Sequence, residues 1–278
     1  RLDEFNQERY ETTFSSNYST ILPNISWVYD NTVFGFTGPI DGFRQNTSIT
    51  LNPGYGSSNL KFQTLKTDAR KYWRFGKDYT LAVRGFFGTS LGENKQKFFL
   101  GGIPFLVGGG GETNGKVDNS HFRDVILDTS NATLVHDIYF TEYASPLRGA
   151  RFAERFGTNA TLINMEIRFP FINYLALGFP LKMIFGNIRG HAFMDVGAAW
   201  DEAEEFTNTS WPGRYWVEDQ NKNLIPPTLL DFSPWVTTVG LGTKINLGYF
   251  LLRIETAWDK NPNGYSKPQW YFSLGPDW

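Results

Sequence analysis

His191 and Asp195 stand four residues apart in "HAFMDVGAAW", and a histidine within reach of a carboxylate is the least that a general base requires. Strand alternation puts both on one polar face, so an interior hydrogen bond accounts for His191 without catalysis. His121 and His136 add little to a hydrolytic reading. The glycine run Gly108 to Gly111 lacks the following Lys and Ser/Thr of a phosphate-binding loop and reads as a flexible loop. "DNSHFRD", from Asp118 to Asp124, offers oxygen ligands without the spacing of a calcium loop. Glu204 and Glu205 fall among polar residues and read as a solvated face. N-x-S/T sequons such as Asn131 with Thr133 fit a chain rich in Asn, Ser and Thr rather than glycosylation. No catalytic residue, cofactor or metal is therefore expected.

Composition narrows the elements that could position these groups. The chain has 278 residues, no cysteine and a net charge of −2, which removes disulfides and Cys-ligated metals and gives no electrostatic reason to expect nucleic acid. The lack of thiols suits an oxidising compartment. No window reaches the ~18 uninterrupted apolar residues of a membrane helix, and the mean hydropathy of −0.34 looks like that of a soluble protein. That average misleads for one architecture, because a membrane barrel is apolar only at every second residue. A start at Arg1, with neither initiator Met nor leader, leads to the expectation of a piece of a longer protein.

Period-2 alternation recurs along the chain. "YFLLRIETAWD" sets Phe250, Leu252, Ile254, Thr256 and Trp258 against Arg253, Glu255 and Asp259. "WVTTVGLGTKINLG" sets Val239, Leu241 and Ile245 against Gly240, Gly242, Lys244 and Asn246, with a tight turn at Asn246-Leu247-Gly248. "NIRGHAFMDVGAAW" and "TLINMEIRFPF" place Met194, Val196, Ile163 and Ile167 opposite Arg189, His191, Asp195, Asn164, Glu166 and Arg168. "YTLAVRGFFGTSL" is similar, and weaker segments lie near 7 to 18, 24 to 32, 43 to 52 and 60 to 73. The terminal "QWYFSLGPDW" puts Trp270, Phe272, Leu274, Pro276 and Trp278 on one face. About ten strands and no amphipathic helix are expected.

The second face carries charges and glycines in mid-strand, which an unpaired sandwich core would not tolerate but a wet lumen would. Short turns near 33 to 42, 73 to 78, 172 to 180 and 246 to 249 alternate with longer links near 92 to 158, 201 to 233 and 259 to 268. Aromatics gather near strand ends, as in "KYWRF" and "FINYLALGF", where interfacial girdles would lie. Residues 1–278 therefore read as one all-β domain, a transmembrane antiparallel β-barrel, with a lumen or extracellular loop at 92–158 and an extracellular loop at 201–233.

"FFLGG" (Phe98 to Gly102), "PLRG" (Pro146 to Gly149), "NMEIRFPF" (Asn164 to Phe171), "HAFMDVGAAWD" (His191 to Asp201) and "WYFSLGPDW" resemble, in order, the C-terminal barrel half of the BamA/TamA superfamily, the bacterial surface antigens. "SWVYDNTVFGFTGPIDGFRQNTSITL" resembles the strand, turn and strand before them. The insertion between "FFLGG" and "PLRG" is more similar to related barrels that follow TolB-like propellers. The resemblance implies a barrel of roughly sixteen strands, of which this chain holds the last ten or so. It implies an outer-membrane location and a role in inserting or translocating other proteins. Outer-membrane lipids, client proteins and periplasmic or lipoprotein partners would follow; the alternative is a pore or surface receptor on the same fold. It also implies that Arg148 and Gly149, on a loop folded into the lumen, meet Glu166 and Asp195 on the wall. Ala150 stands where the family has an aromatic, which counts against a deep or rigid insertion. The terminal strand, with Trp270, Phe272, Leu274, Gly275 and Trp278, resembles the signal by which such barrels are recognised for insertion.

Overall fold

The computed structural model describes residues 20–55, 60–76, 78–102, 106–109, 142–143, 147–150, 155–171, 188–203, 217–218, 224–225, 235–247, 250–261, 264–266 and 268–275. Nine long strands form the wall: β1 (Asn24–Asp30), β3 (Gly38–Pro53), β4 (Lys61–Phe75), β5 (Tyr79–Gly92), β10 (Asn159–Pro170), β11 (Arg189–Trp200), β14 (Trp235–Asn246), β15 (Leu251–Asn261) and β17 (Gln269–Gly275). Short strands lie between them: β2 (Val33–Gly35), β6 (Phe98–Leu100), β7 (Leu106–Gly109), β8 (Glu142–Tyr143), β9 (Arg155–Gly157), β12 (Val217–Glu218), β13 (Leu224–Ile225) and β16 (Gly264–Tyr265). The expected segment at 7 to 18 and the terminal Trp278 lie outside the described residues.

The wall strands pair antiparallel in the order β1-β3-β4-β5-β10-β11-β14-β15-β17, and β7 pairs with the far edge of β17. Among the described residues the sheet is open, ending on β1 and β7. Register holds one face of every strand in line. Glu166 lies opposite Phe193, Phe193 opposite Gly240 and Gly240 opposite Ala257, while Asn164, Asp195, Thr238 and Asp259 form the next row.

Burial along these strands is the reverse of that in a water-soluble sheet. On β10, Ile163 and Ile167 are 43% and 47% exposed, whereas Asn164 and Glu166 are 0% and 1% exposed. Leu241, Trp270, Phe272 and Leu274 share the exposed face. An apolar face this extensive needs a non-aqueous neighbour. The stacked pair Phe75 and Tyr79, with ring centroids 5.7 Å apart, sits at the β4–β5 turn where an aromatic girdle belongs.

The expected short turn at 172 to 180 lies outside the described residues. Two expectations are corrected. The link near 259 to 268 is shorter than expected, because β15 runs on to Asn261 and β16 folds back against Lys260 and Asn261. The inner face is also not simply wet. Phe98, Leu100, Leu147 and Ala150 from the 92–158 loop pack on Ala160, Leu162, Ala199 and Val236 of the wall and make an apolar core there. The mid-strand glycines are where this packing fits. A Cβ on Gly88 would lie 2.5 Å from the Phe98 ring, and one on Gly197 would lie 2.6 Å from Leu100.

Candidate functional site

The loop reaches the wall at Leu147 to Ala150. Leu147 is fully buried, Arg148 is 2% exposed, and the Leu147 amide donates to the Gly102 carbonyl at 3.3 Å. Gly149 makes the approach possible. Its φ of +90° lies in the left-handed region, and a Cβ there would sit 2.9 Å from Ala257 Cβ and 3.3 Å from Thr238 Cβ. The absent aromatic at Ala150 does not limit the depth of insertion, since Ala150 is itself buried. The wall supplies a ring instead, with the Arg148 guanidinium carbon 3.6 Å from the Phe193 centroid.

Arg148 directs its guanidinium at three carboxylates. Its Nε donates to Asp195 Oδ2 and one terminal nitrogen to Asp195 Oδ1, both at 2.9 Å. The other terminal nitrogen donates to Glu166 Oε2 at 3.0 Å and to Glu255 Oε1 at 3.1 Å, and the Arg148 amide donates to Asp195 Oδ2 at 3.1 Å. Lys244 Nζ at 2.5 Å and Arg168 Nε at 2.7 Å donate to Glu166 Oε1. Three cations thus meet three carboxylates, and all six groups are almost fully buried. That balance is what burial demands, because an uncompensated charge inside a protein costs several kcal/mol, of order 3–5.

Sequence reasoning named Arg148, Gly149, Glu166 and Asp195 for this place, and the fold brings these four together. It missed Glu255, Lys244, Arg168 and Phe193 as partners. Alternation puts all of them on the inner face, but only register decides which inner-face residues meet. Glu255 is 107 residues from Arg148. His191 also finds a different partner from the expected Asp195, for its Nε2 lies 2.9 Å from Glu255 Oε1. Gly242 stands between them in the sheet and leaves the gap they share, since a Cβ there would lie 2.6 Å from His191 Cε1. Trp270, Phe272 and Leu274 point outward on β17, and Gly275 is its last residue.

An antiparallel wall that is apolar on one face, with a loop anchored by charge on the other, is the architecture of a transmembrane β-barrel. The Omp85 superfamily domain matches residues 2–278, and the chain belongs to that superfamily. Its fold is similar to that of BamA from Haemophilus ducreyi, crystallised without POTRA domains 1–3. That likeness has a TM-score of 0.52 at 14% identity and covers 97% of this chain and 47% of that one. CdiB from Acinetobacter baumannii matches at a TM-score of 0.42 and 13% identity, with 90% of this chain and 32% of that one covered. This chain therefore spans less than half the length of either protein. No curated protein matches it.

Proposed function

We propose that this protein lies in the outer membrane of a Gram-negative-type bacterium and assists the insertion or translocation of other proteins. Membership of the Omp85 superfamily supports the general role. The observation that favours it over a passive pore is the occupied inner face. A pore keeps a wet lumen, whereas here Phe98, Leu100 and Leu147 are buried against the wall and Arg148 is tied to three of its carboxylates. A fixed inner loop holds the barrel's shape while strand edges do the work. Such a role needs no covalent step and no cofactor: admitting a client strand depends on a weakly paired edge that satisfies backbone groups which lipid cannot. The partners of this reading are outer-membrane lipids, client outer-membrane or secreted proteins and a periplasmic or lipoprotein helper. The outward Trp270, Phe272 and Leu274 give the chain's own insertion signal a surface to present.

Quantitative proteomics of the outer membrane after depletion of the full-length protein in its host tests the proposal. Loss of several unrelated barrels, or of one secreted cargo, is the expected result. An unchanged proteome with altered uptake of a solute would replace this reading with that of a gated pore or surface receptor on the same fold.

A further inference from the structure

The inner face carries a second charged site at the end where the short turns lie. The turn between β2 and β3 folds across that end and is held there from two distant strands. Arg168 of β10 donates to the Pro39 carbonyl at 2.8 Å, and the side-chain Nδ2 of Asn246 on β14 donates to the Phe36 carbonyl. Under this strap lies a cavity of about 160 Å³, lined in part by Arg74, Asp78, Tyr79, Thr80, Arg168 and Arg189. That is far more than the ~10–15 Å³ a single water needs.

Register explains why the cavity is basic. Thr80 faces Arg74 on one neighbouring strand and Arg168 on the other, so two guanidinium groups flank one small residue. Beside them Arg189 faces Lys244, and Lys244 faces Arg253, three cations in a row on adjacent strands. Like charges set directly opposite one another destabilise a sheet. Within the lining the one carboxylate is Asp78, and it already accepts from Arg189 at 3.3 Å. Lys244 is committed to Glu166. Among the described residues Arg74 has no carboxylate partner.

We propose that this cavity binds a phosphate-type oxyanion, with Arg74, Arg168 and Arg189 as its ligands. Guanidinium groups match tetrahedral oxyanions through paired, charge-assisted hydrogen bonds, and a bound anion would offset the repulsion among the three arginines that line the cavity. Free phosphate and the phosphate of a lipid headgroup present the same chemistry.

The test is calorimetric titration of the full-length protein in an uncharged detergent, with inorganic phosphate in one arm and dihexanoyl phosphatidic acid in the other. The variant is Arg74→Gln combined with Arg189→Gln; Arg168 is left alone because it also holds Glu166. Heat-modifiable migration on a gel confirms that the variant barrel is folded. Binding of at least one probe, weakened tenfold or more in the folded variant, is the expected result. Binding of the phosphatidic acid alone would identify a headgroup site, and binding of both a free-anion site. Failure of both probes to bind, or equal binding by the variant, would overturn the proposal. The readout does not involve client assembly, so it succeeds or fails independently of the proposed function.

Discussion

Replacement of Arg148 by Ala removes four side-chain hydrogen bonds unequally and leaves the bond from its backbone amide to Asp195. Glu166 keeps Lys244 and Arg168, and Glu255 keeps His191, but Asp195 loses both of its guanidinium bonds while remaining fully buried. Asp195 is thus the charge left uncompensated. Removing one partner of a buried pair costs about 3–5 kcal/mol, or roughly 10²- to 4 × 10³-fold in the population of loop released from the wall. The strand ladders on either side do not depend on Arg148, so the wall should stay paired. Limited proteolysis of the full-length protein in bilayers reads this directly, because cleavage follows the open population when opening and closing are fast. Cleavage within 93–158 should accelerate in proportion while heat-modifiable migration stays unchanged. Arg148→Lys should give only partial protection, since a point charge cannot replace a fork that serves three carboxylates. Adding Asp195→Asn to Arg148→Ala should recover part of the loss by removing the orphan charge. Wild-type cleavage for Arg148→Ala, or no recovery in the double variant, would refute the anchoring argument.

Gly149→Ala should also release the loop, at about 1–3 kcal/mol from strain at positive φ together with its contact on Ala257, and the same proteolysis should show it. Glu255→Gln should cost less than Arg148→Ala, about 1–3 kcal/mol, because Arg148 keeps Asp195 and Glu166; thermal melting of the two variants side by side would contradict this if Glu255→Gln proved the weaker protein. Leu241→Arg puts a charge in the middle of the outward face of β14 and should cost about 2–4 kcal/mol in bilayers, measured by urea titration of folding. No effect would mean that this face does not meet hydrocarbon.

Strand type and face were legible in the sequence because period-2 alternation is a local property of the backbone. Ile163 and Ile167 against Asn164 and Glu166 announce two environments whatever they pack on, and the exposed greasy face of β10 follows from them. Arg148, Glu166 and Asp195 could be named together because short stretches around them resemble those of a known family. Only the tertiary structure decided that Glu255 shares Arg148, that His191 turns to Glu255 rather than Asp195, and that Gly240 and Gly242 are gaps filled by Phe193 and His191. The physical reason is register. Alternation fixes which face a residue occupies, but the level at which it meets residues from strands a hundred positions away is set by how the ladders align across the sheet, and no local pattern carries that information.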